Sequence, residues 1–451
     1  MTDWFDVLSD PDALGDLLDA PESLVARPSR IDGVDVVLVV CDFEFAAGTL
    51  SLAAGDAFVH ALDLAIERGV PVVAVACSGG ARMQQGTRAF VQMLKSMDAV
   101  ARLRAAGLPL IVHLANPTTG GVFASWASAG HVTFAEPGAT VAFTGPRVAA
   151  ALGVPIEPLD VQRSESLLAH GHVDAVVATS DLRAVVASAL RALTETAAPH
   201  EIVDPQDVTD GPHGWQAVLE ARAASPKPAI ETLIDRADAI VELHGDRAGR
   251  RSESIVAAIC RLDGRPLMLI GHRRGGEAVG ATALRVARRA MVVAIDLGLP
   301  ILTIIDTEGA EISASQEESG LAGVISSSMA TLLAAPVSTL AVLAGSGSGG
   351  AAVAWAGADR LIAVPAAWMA PISPEAAALI LHRDAARAAE MSDLQQVGAI
   401  ELHDQGIVDR VVPADRLIDA ISSELGRLAS TPLEELLAAR TERFRRIGDG
   451  G

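Results

Sequence analysis

Four short turns carry the residues best placed for chemistry, and what they offer is backbone N–H rather than a reactive side chain. Gly80 and Ala81 close an apolar, β-branched run, and some forty residues later Gly120 and Gly121 open an Ala-rich helical segment. Gly309 and Ala310, followed by Gly350 and Ala351, repeat the plan. Glycine permits close backbone approach, and a helix N-terminus presents unpaired N–H groups with a partial positive charge. Two such groups aimed at one oxygen make an oxyanion hole, where removing a donor costs roughly 2.7–4 kcal/mol of transition-state stabilisation. The competing reading gives these glycines only turns and tight helix packing to serve. Recurrence of the same pair favours the chemical reading.

Other chemistries fit less well. Gly345-Ser-Gly-Ser-Gly-Gly350 is a literal GxGxxG after the strand-like Thr339–Leu343. A dinucleotide fingerprint also needs an acid about 20 residues on, at the end of the next strand. Asp359 comes too early, Glu375 follows a Pro-bounded loop, and the matching Asn116–Gly121 keeps only the final Gly-Gly. A Ser–His–Asp hydrolase would have to use Ser78, Ser346 or Ser348, but no GxSxG elbow is present. His113 and His131 lie in or beside apolar runs that predict packed core histidines. His170, His172 and Asp174 lack a second carboxylate–His pair, and their counterparts Gln405 and Ile407 point to structure, so no metal site is expected. Arg247, Arg250 and Arg251, Arg273 and Arg274 ahead of Gly275-Gly276, and Arg285, Arg288 and Arg289 could gather phosphates. Ion pairs with neighbouring acids are the simpler expectation for each cluster.

Bringing two amides to one point takes rigid elements, and the sequence supplies them twice. Gly69–Ala81 aligns with Gly298–Ala310 at a spacing of 229 residues, as do Gly120-Gly121 with Gly349-Gly350 and Trp126 with Trp355. Ile31-Asp-Gly33 answers Leu262-Asp-Gly264, and Gly171–Val177 answers Gly406–Val412, in the same order. A tandem duplication follows. In each half, short β-branched runs alternate with longer Ala/Arg/Leu segments of helical period, which predicts α/β architecture with parallel strands beneath covering helices. The expected domains are residues 1–195 and 229–451, joined by a linker at 196–228 that holds Pro199, Pro205, Pro212, Pro226 and Pro228.

A chain of 451 residues, 50% hydrophobic and 20% charged, can bury two large cores and is neither a disordered tail nor a collagen-like fibre. Its net charge of −21 repels phosphate backbones and excludes a generic nucleic-acid binder. Cys41, Cys77 and Cys260 are odd in number and widely spaced, against a disulfide framework or zinc ribbon and in favour of a reducing compartment. Residues 1–30 show no secretory or transit pattern, so the cytoplasm is the expected location. The 40 uncharged residues from Ser319 to Ala358 could span a membrane by length alone. Pro336 and the Gly/Ser cluster at 345–350 break them, so a buried helix and strand are expected instead.

Ser78-Gly-Gly-Ala-Arg-Met-Gln84, Pro117–Ser125, Ala135-Glu-Pro-Gly-Ala139, Phe143-Thr-Gly-Pro-Arg147 and Gln162-Arg-Ser-Glu165 closely resemble the β component of acetyl-CoA carboxylase carboxyltransferase. His244-Gly-Asp-Arg247, Ile270-Gly-His272, Gly347–Ala351 and Ile372-Ser-Pro-Glu375 resemble its α component. The chain thus looks like a fused β–α carboxyltransferase over roughly residues 30 to 425. The resemblance implies two tandem crotonase-like domains, each a parallel β-sheet superhelix covered by helices.

The reaction it implies moves a carboxyl group from carboxybiotin, held on a biotin carboxyl carrier protein charged by biotin carboxylase, to an acyl-CoA such as acetyl-CoA. By analogy Gly120, Gly121 and the turn at Gly80, with Arg82, would hold the acyl-CoA. Gly350, Ala351 and the turn at Gly309 would hold biotin. A homo-oligomer is implied, and no metal, nucleic acid or membrane. Three departures stand out: the family's four-cysteine zinc ribbon is absent, Ala46-Ala-Gly-Thr49 only partly matches a Gly-Gly-Ser turn, and Glu308 replaces the usual Pro beside Gly309. Two alternatives remain open, a biotin-independent malonyl-thioester decarboxylase and a non-catalytic paralogue, the second favoured by the charge at Glu308.

Overall fold

The computed structural model describes residues 3–447 except 20, 155, 199–200, 224–226 and 276, so Pro199, Pro226 and Gly276 lie outside the described residues. The chain divides into two compact units, Met1–Arg191 with His244–Arg251, and Ala192–Leu243 with Ser252–Gly451. Residues 196–228, read above as a linker, fall within the second unit and carry the helix Gly214–Arg222.

The first unit holds β1 (Leu24–Ile31), β2 (Val34–Cys41), β3 (Val72–Ser78), β4 (Leu110–Thr119), β5 (Val132–Ala135), β6 (Val141–Ala142) and β7 (Ala175–Val176). The sheet order is β1-β2-β3-β4-β5-β7, with β6 paired to the far end of β4. Among the described strand pairs of this sheet only the β1–β2 hairpin is antiparallel. Its two-residue turn places Asp32 and Gly33 at φ +51° and +80°, the positive pair that a tight hairpin demands. β3 is buried at every position, which explains its unbroken apolar run.

The second unit holds β8 (Ala239–Glu242), β9 (Ile255–Leu262), β10 (Arg265–His272), β11 (Ile301–Thr307), β12 (Thr339–Ser348), β13 (Arg360–Ala363), β14 (Trp368–Ala370) and β15 (Arg410–Val411). From β9 onward it repeats the first unit, down to the Asp263-Gly264 turn at φ +47° and +82°. The uncharged stretch 319–358 contains the helix Leu321–Leu333, β12 and the short helix Gly349–Val353, and no described helix is long and apolar enough to cross a membrane.

One irregularity positions everything else. β3 pairs with β4 up to Ala76↔Leu114 and then skips to Ser78↔Thr118, and β11 with β12 skips from Ile305↔Leu343 to Thr307↔Gly347. Each ladder is interrupted at the carboxyl ends of its parallel strands, where ligand crevices of such sheets form. The helices Leu52–Arg68 and Ala281–Leu297 cover the sheets and end at Gly69 and Gly298, both at φ +64°. Beneath them Phe58 stacks on Trp126 at 4.8 Å, and His272 on Trp355 at 4.0 Å.

His113 and His272 are packed core residues, and burial lowers each from 6.5 to about 3, so both stay neutral. An unfolded chain would take up these protons more readily. Their contribution is therefore complete above about pH 6.5 and is lost as pH falls toward 3. The urea midpoint should drop between pH 7 and pH 4.5, and His113→Phe, which removes two unpartnered ring nitrogens, should flatten that slope.

Candidate active site

β3 ends at Ser78, whose buried hydroxyl accepts the Gly80 amide at 3.0 Å. Gly80 then adopts φ +109°, which strains any side chain, and a Cβ there would stand 3.3 Å from Gly120 Cα and 3.4 Å from Gly121 N. The two turns touch backbone to backbone. Gly79 N donates to Ala47 O at 2.9 Å, Leu50 N to Gly80 O at 2.8 Å and Arg82 N to Leu50 O at 2.9 Å, which laces the first turn to residues 46–50. Gly120 N donates to Phe143 O at 3.1 Å.

Of the four candidate amides in this unit, those of Gly80 and Gly120 are thus taken up internally. Ala81 N and Gly121 N take no partner among the described residues. They are neighbours, since a Cβ on Gly121 would lie 3.7 Å from Ala81 N.

The second unit builds a similar donor turn from different side chains, without the close glycine contact, since a Cβ on Gly309 would lie 3.6 Å from Ser348 Oγ. Thr307 stands in for Ser78 and accepts Gly309 N at 3.1 Å, with Gly309 at φ +126°. The isolated bridge Val279↔Ala310 repeats Leu50↔Ala81. The helix after β12 begins at Gly349, whose φ of +66° matches the +63° of Gly120. Gly349 and Gly350 are therefore the counterparts of Gly120 and Gly121, and Ala351 sits one residue deeper, fully buried. Ala310 N and Gly350 N are left without a partner among the described residues.

Several supporting side chains were not visible as such in the sequence. Gln85 Oε1 accepts Leu52 N at 2.8 Å and Gln316 Oε1 accepts Ala281 N at 2.7 Å, so in each unit a glutamine after the donor turn caps the covering helix. Arg82 donates to both Glu22 oxygens at 2.7 and 3.1 Å, to Thr49 O at 3.0 Å and to Thr49 Oγ1 at 3.1 Å. Its guanidinium braces the turn, a bidentate commitment that competes with any phosphate. Arg247 is likewise taken by the buried Asp174 at 2.5 Å, and Arg273 by Glu231 and Glu242.

A cavity of about 360 Å³ opens at the second donor turn, lined by Arg274, Asp306, Glu308, Gly309 and Ala310 among others. Burial pushes the Asp306 carboxyl above its usual range, opposed by Arg274 at 3.9 Å. Glu308 accepts Ser346 Oγ at 2.5 Å and Arg222 Nη2 at 3.2 Å. Neither Ser78, Ser346 nor Ser348 bonds a histidine among the described residues, so no hydrolytic triad is assembled there. The first two GxGxxG glycines serve packing, since a Cβ on Gly345 would lie 2.3 Å from Asp306 Oδ1 and one on Gly347 2.8 Å from Leu343 Cδ1.

Two α/β units of one plan, each with a donor turn beside a helix start, define a tandem crotonase-like fold. Solved structures share it: transcarboxylase 12S, crystallised with methylmalonyl-coenzyme A and methylmalonic acid bound, has a TM-score of 0.79 at 21% identity over 95% of this chain and 89% of that one. A single-chain, multi-domain long-chain acyl-CoA carboxylase has a TM-score of 0.73 at 20% identity over 94% of this chain and 45% of its own.

The family model described as acetyl co-enzyme A carboxylase carboxyltransferase-like matches residues 204–448. The "Probable biotin-dependent acyl-coenzyme A carboxylase beta3 subunit" of Mycobacterium tuberculosis (strain ATCC 25618 / H37Rv) is 40% identical over 95% of this chain and 90% of that relative. The "Acetyl-coenzyme A carboxylase carboxyl transferase subunits beta/alpha" of Salinispora tropica is 34% identical over 95% and 82%. The chain belongs to the carboxyltransferase family of the biotin-dependent acyl-CoA carboxylases, a family of enzymes.

Gly80→Ala and Gly309→Ala should each lower unfolding stability by about 1–3 kcal/mol, because both positions hold positive φ. Gly121→Ala should cost less, since its new methyl meets only the flexible Met93 thioether at 3.0 Å. Urea denaturation of the three variants checks this order.

Proposed function

We propose that the chain transfers a carboxyl group from carboxybiotin, borne on a separate carrier protein and charged by a biotin carboxylase, to the α-carbon of a short acyl-CoA. With acetyl-CoA the product is malonyl-CoA for fatty acid synthesis. The observation that carries this reading is the duplicated pair of unpartnered amides, Ala81 with Gly121 and Ala310 with Gly350.

Two oxygens gain negative charge in such a transfer, the thioester carbonyl and the ureido carbonyl, and the chain offers two donor pairs to meet them. Ala81 N and Gly121 N are assigned the thioester oxygen as the acyl group loses its α-proton. Ala310 N and Gly350 N are assigned the ureido oxygen. A cavity of about 360 Å³ at Gly309 and Ala310 suits a small head group. When bound, carboxybiotin supplies the carbon dioxide and then a nitrogen that can accept the substrate's proton. The chain's part is to hold both carbonyls with fixed dipoles, which is where most catalytic stabilisation of this type arises.

The reading includes a cytoplasmic homo-oligomer, without nucleic acid or membrane. Its support is a matched pair of exposed apolar side chains, Met83 at 87% and Ile312 at 94%, each two residues beyond a donor alanine. Phe90 and Leu94 extend the first patch, and Leu379, Ile380 and Leu381 are exposed in the second unit.

Proline in the first turn of a helix removes an amide that has no intrahelical partner, and its ring meets the flexible Met93 side chain at 121 and Ile325 at 350. Gly121→Pro and Gly350→Pro should each lower kcat for transfer of labelled carboxyl to acetyl-CoA by about 10²–10³, with circular dichroism unchanged. Decarboxylation of malonyl-CoA without biotin would favour the lyase alternative. Binding of a carboxylase partner without turnover on any acyl-CoA would favour the non-catalytic one.

A further inference from the structure

Glu308 stands two residues before the Ala310 donor, at the mouth of the cavity assigned above to the ureido head group, and its side chain is 56% exposed. An unpaired carboxylate there would oppose an oxygen that must gain negative charge. The structure answers it from a distant part of the sequence. Arg222, the last residue of the helix Gly214–Arg222, donates from Nη2 to Glu308 Oε2 at 3.2 Å. The same guanidinium makes a bidentate pair with Glu375 at 2.5 and 3.2 Å, and holds the Glu375 carboxyl below its usual range.

The guanidinium is itself fixed. Its carbon lies 5.8 Å from the ring centroids of both Trp215 and Trp368, and the Trp368 indole donates to Ser346 Oγ at 3.2 Å. Ser346 in turn donates to Glu308 Oε1 at 2.5 Å. One carboxylate oxygen is thus held by the hydroxyl and the other by the guanidinium, which turns the charge of Glu308 toward Arg222.

We infer that Arg222 is a positioning residue of the second donor pair, which pairs the charge of Glu308 so that this carboxylate does not oppose the oxygen met by the Ala310 and Gly350 amides. The inference rests on the carboxyltransferase reading. It explains how a chain with Glu308 beside its hole can remain active, and it gives the helix 214–222 a role beyond connection.

Steady-state carboxyl transfer from biotinylated carrier to acetyl-CoA tests it in wild type, Arg222→Gln, and the double variant Arg222→Gln with Glu308→Gln. The expected result is a kcat lowered roughly 10- to 100-fold in Arg222→Gln at unchanged KM for acetyl-CoA. The double variant should recover to within about fivefold of wild type, because the opposing charge is gone. A merely structural Arg222 would not be rescued by a second loss. An active wild type with no such rescue, or with an unimpaired Arg222→Gln, overturns the inference alone. A wild type unable to transfer carboxyl overturns the functional reading and the inference with it. Should Arg222→Gln fail to fold, Arg222→Lys takes its place, with intermediate kcat expected and wild-type KM.

Discussion

The structure depends on a contact between two backbones that leaves no room for a side chain. Gly80 and Gly120 approach so closely that a methyl on either would stand 3.3 or 3.0 Å from the other's Cα. That contact brings a strand-end turn against a helix start. It also decides which amides are bonded internally and which remain. Ser78 and Phe143 take the amides of Gly80 and Gly120, and the next residue along each turn is left with an N–H and nothing to bond. Under the proposed function these amides and those of Ala310 and Gly350 are the four donors that meet the two carbonyl oxygens.

In each unit the central ladder is interrupted where the donor turn begins. Beyond the skip Thr118 and Gly347 still pair with β3 and β11, while on the other edge the last residues of β4 and β12 pair with β6 and β14 in place of β5 and β13. The helices Gly120–Phe123 and Gly349–Val353 then start beside the donor turns. The two units reach this geometry with different side chains, Ser78 in one and Thr307 in the other. What the duplication preserves is a main-chain arrangement. The side chains around it diverge, most clearly where Glu308 pairs with Arg222 from a distant part of the sequence.

Much of the fold was legible in the sequence because its constraints are local. Asp-Gly hairpin turns, helix-ending glycines and unbroken β-branched runs are each dictated by a few adjacent residues, and they recur at one spacing. The donor pairs were legible only as a set of eight residues. Which amides stay unbonded in the first unit depends on Ser78, two residues before Gly80, and on Phe143, far along the chain from Gly120. The repeat spacing already pairs Gly120-Gly121 with Gly349-Gly350, and the positive φ of Gly349 agrees with that register rather than with the candidate pair Gly350 and Ala351. Arg82 looked available for a ligand because Glu22 is sixty positions away in sequence. Arg222 lies in the part of the proline-punctuated stretch, around Trp215–Ala224, that does show periodicity, but its partners Glu308 and Glu375 are 86 and 153 positions away.

A crystal structure of the chain with a non-hydrolysable acyl-CoA thioester analogue bears most directly on this account. The thioester oxygen should lie about 2.7–3.1 Å from both Ala81 N and Gly121 N, with the turn at Gly80 unmoved. An analogue whose carbonyl oxygen binds elsewhere, with those two amides satisfied by protein carbonyls, would contradict it.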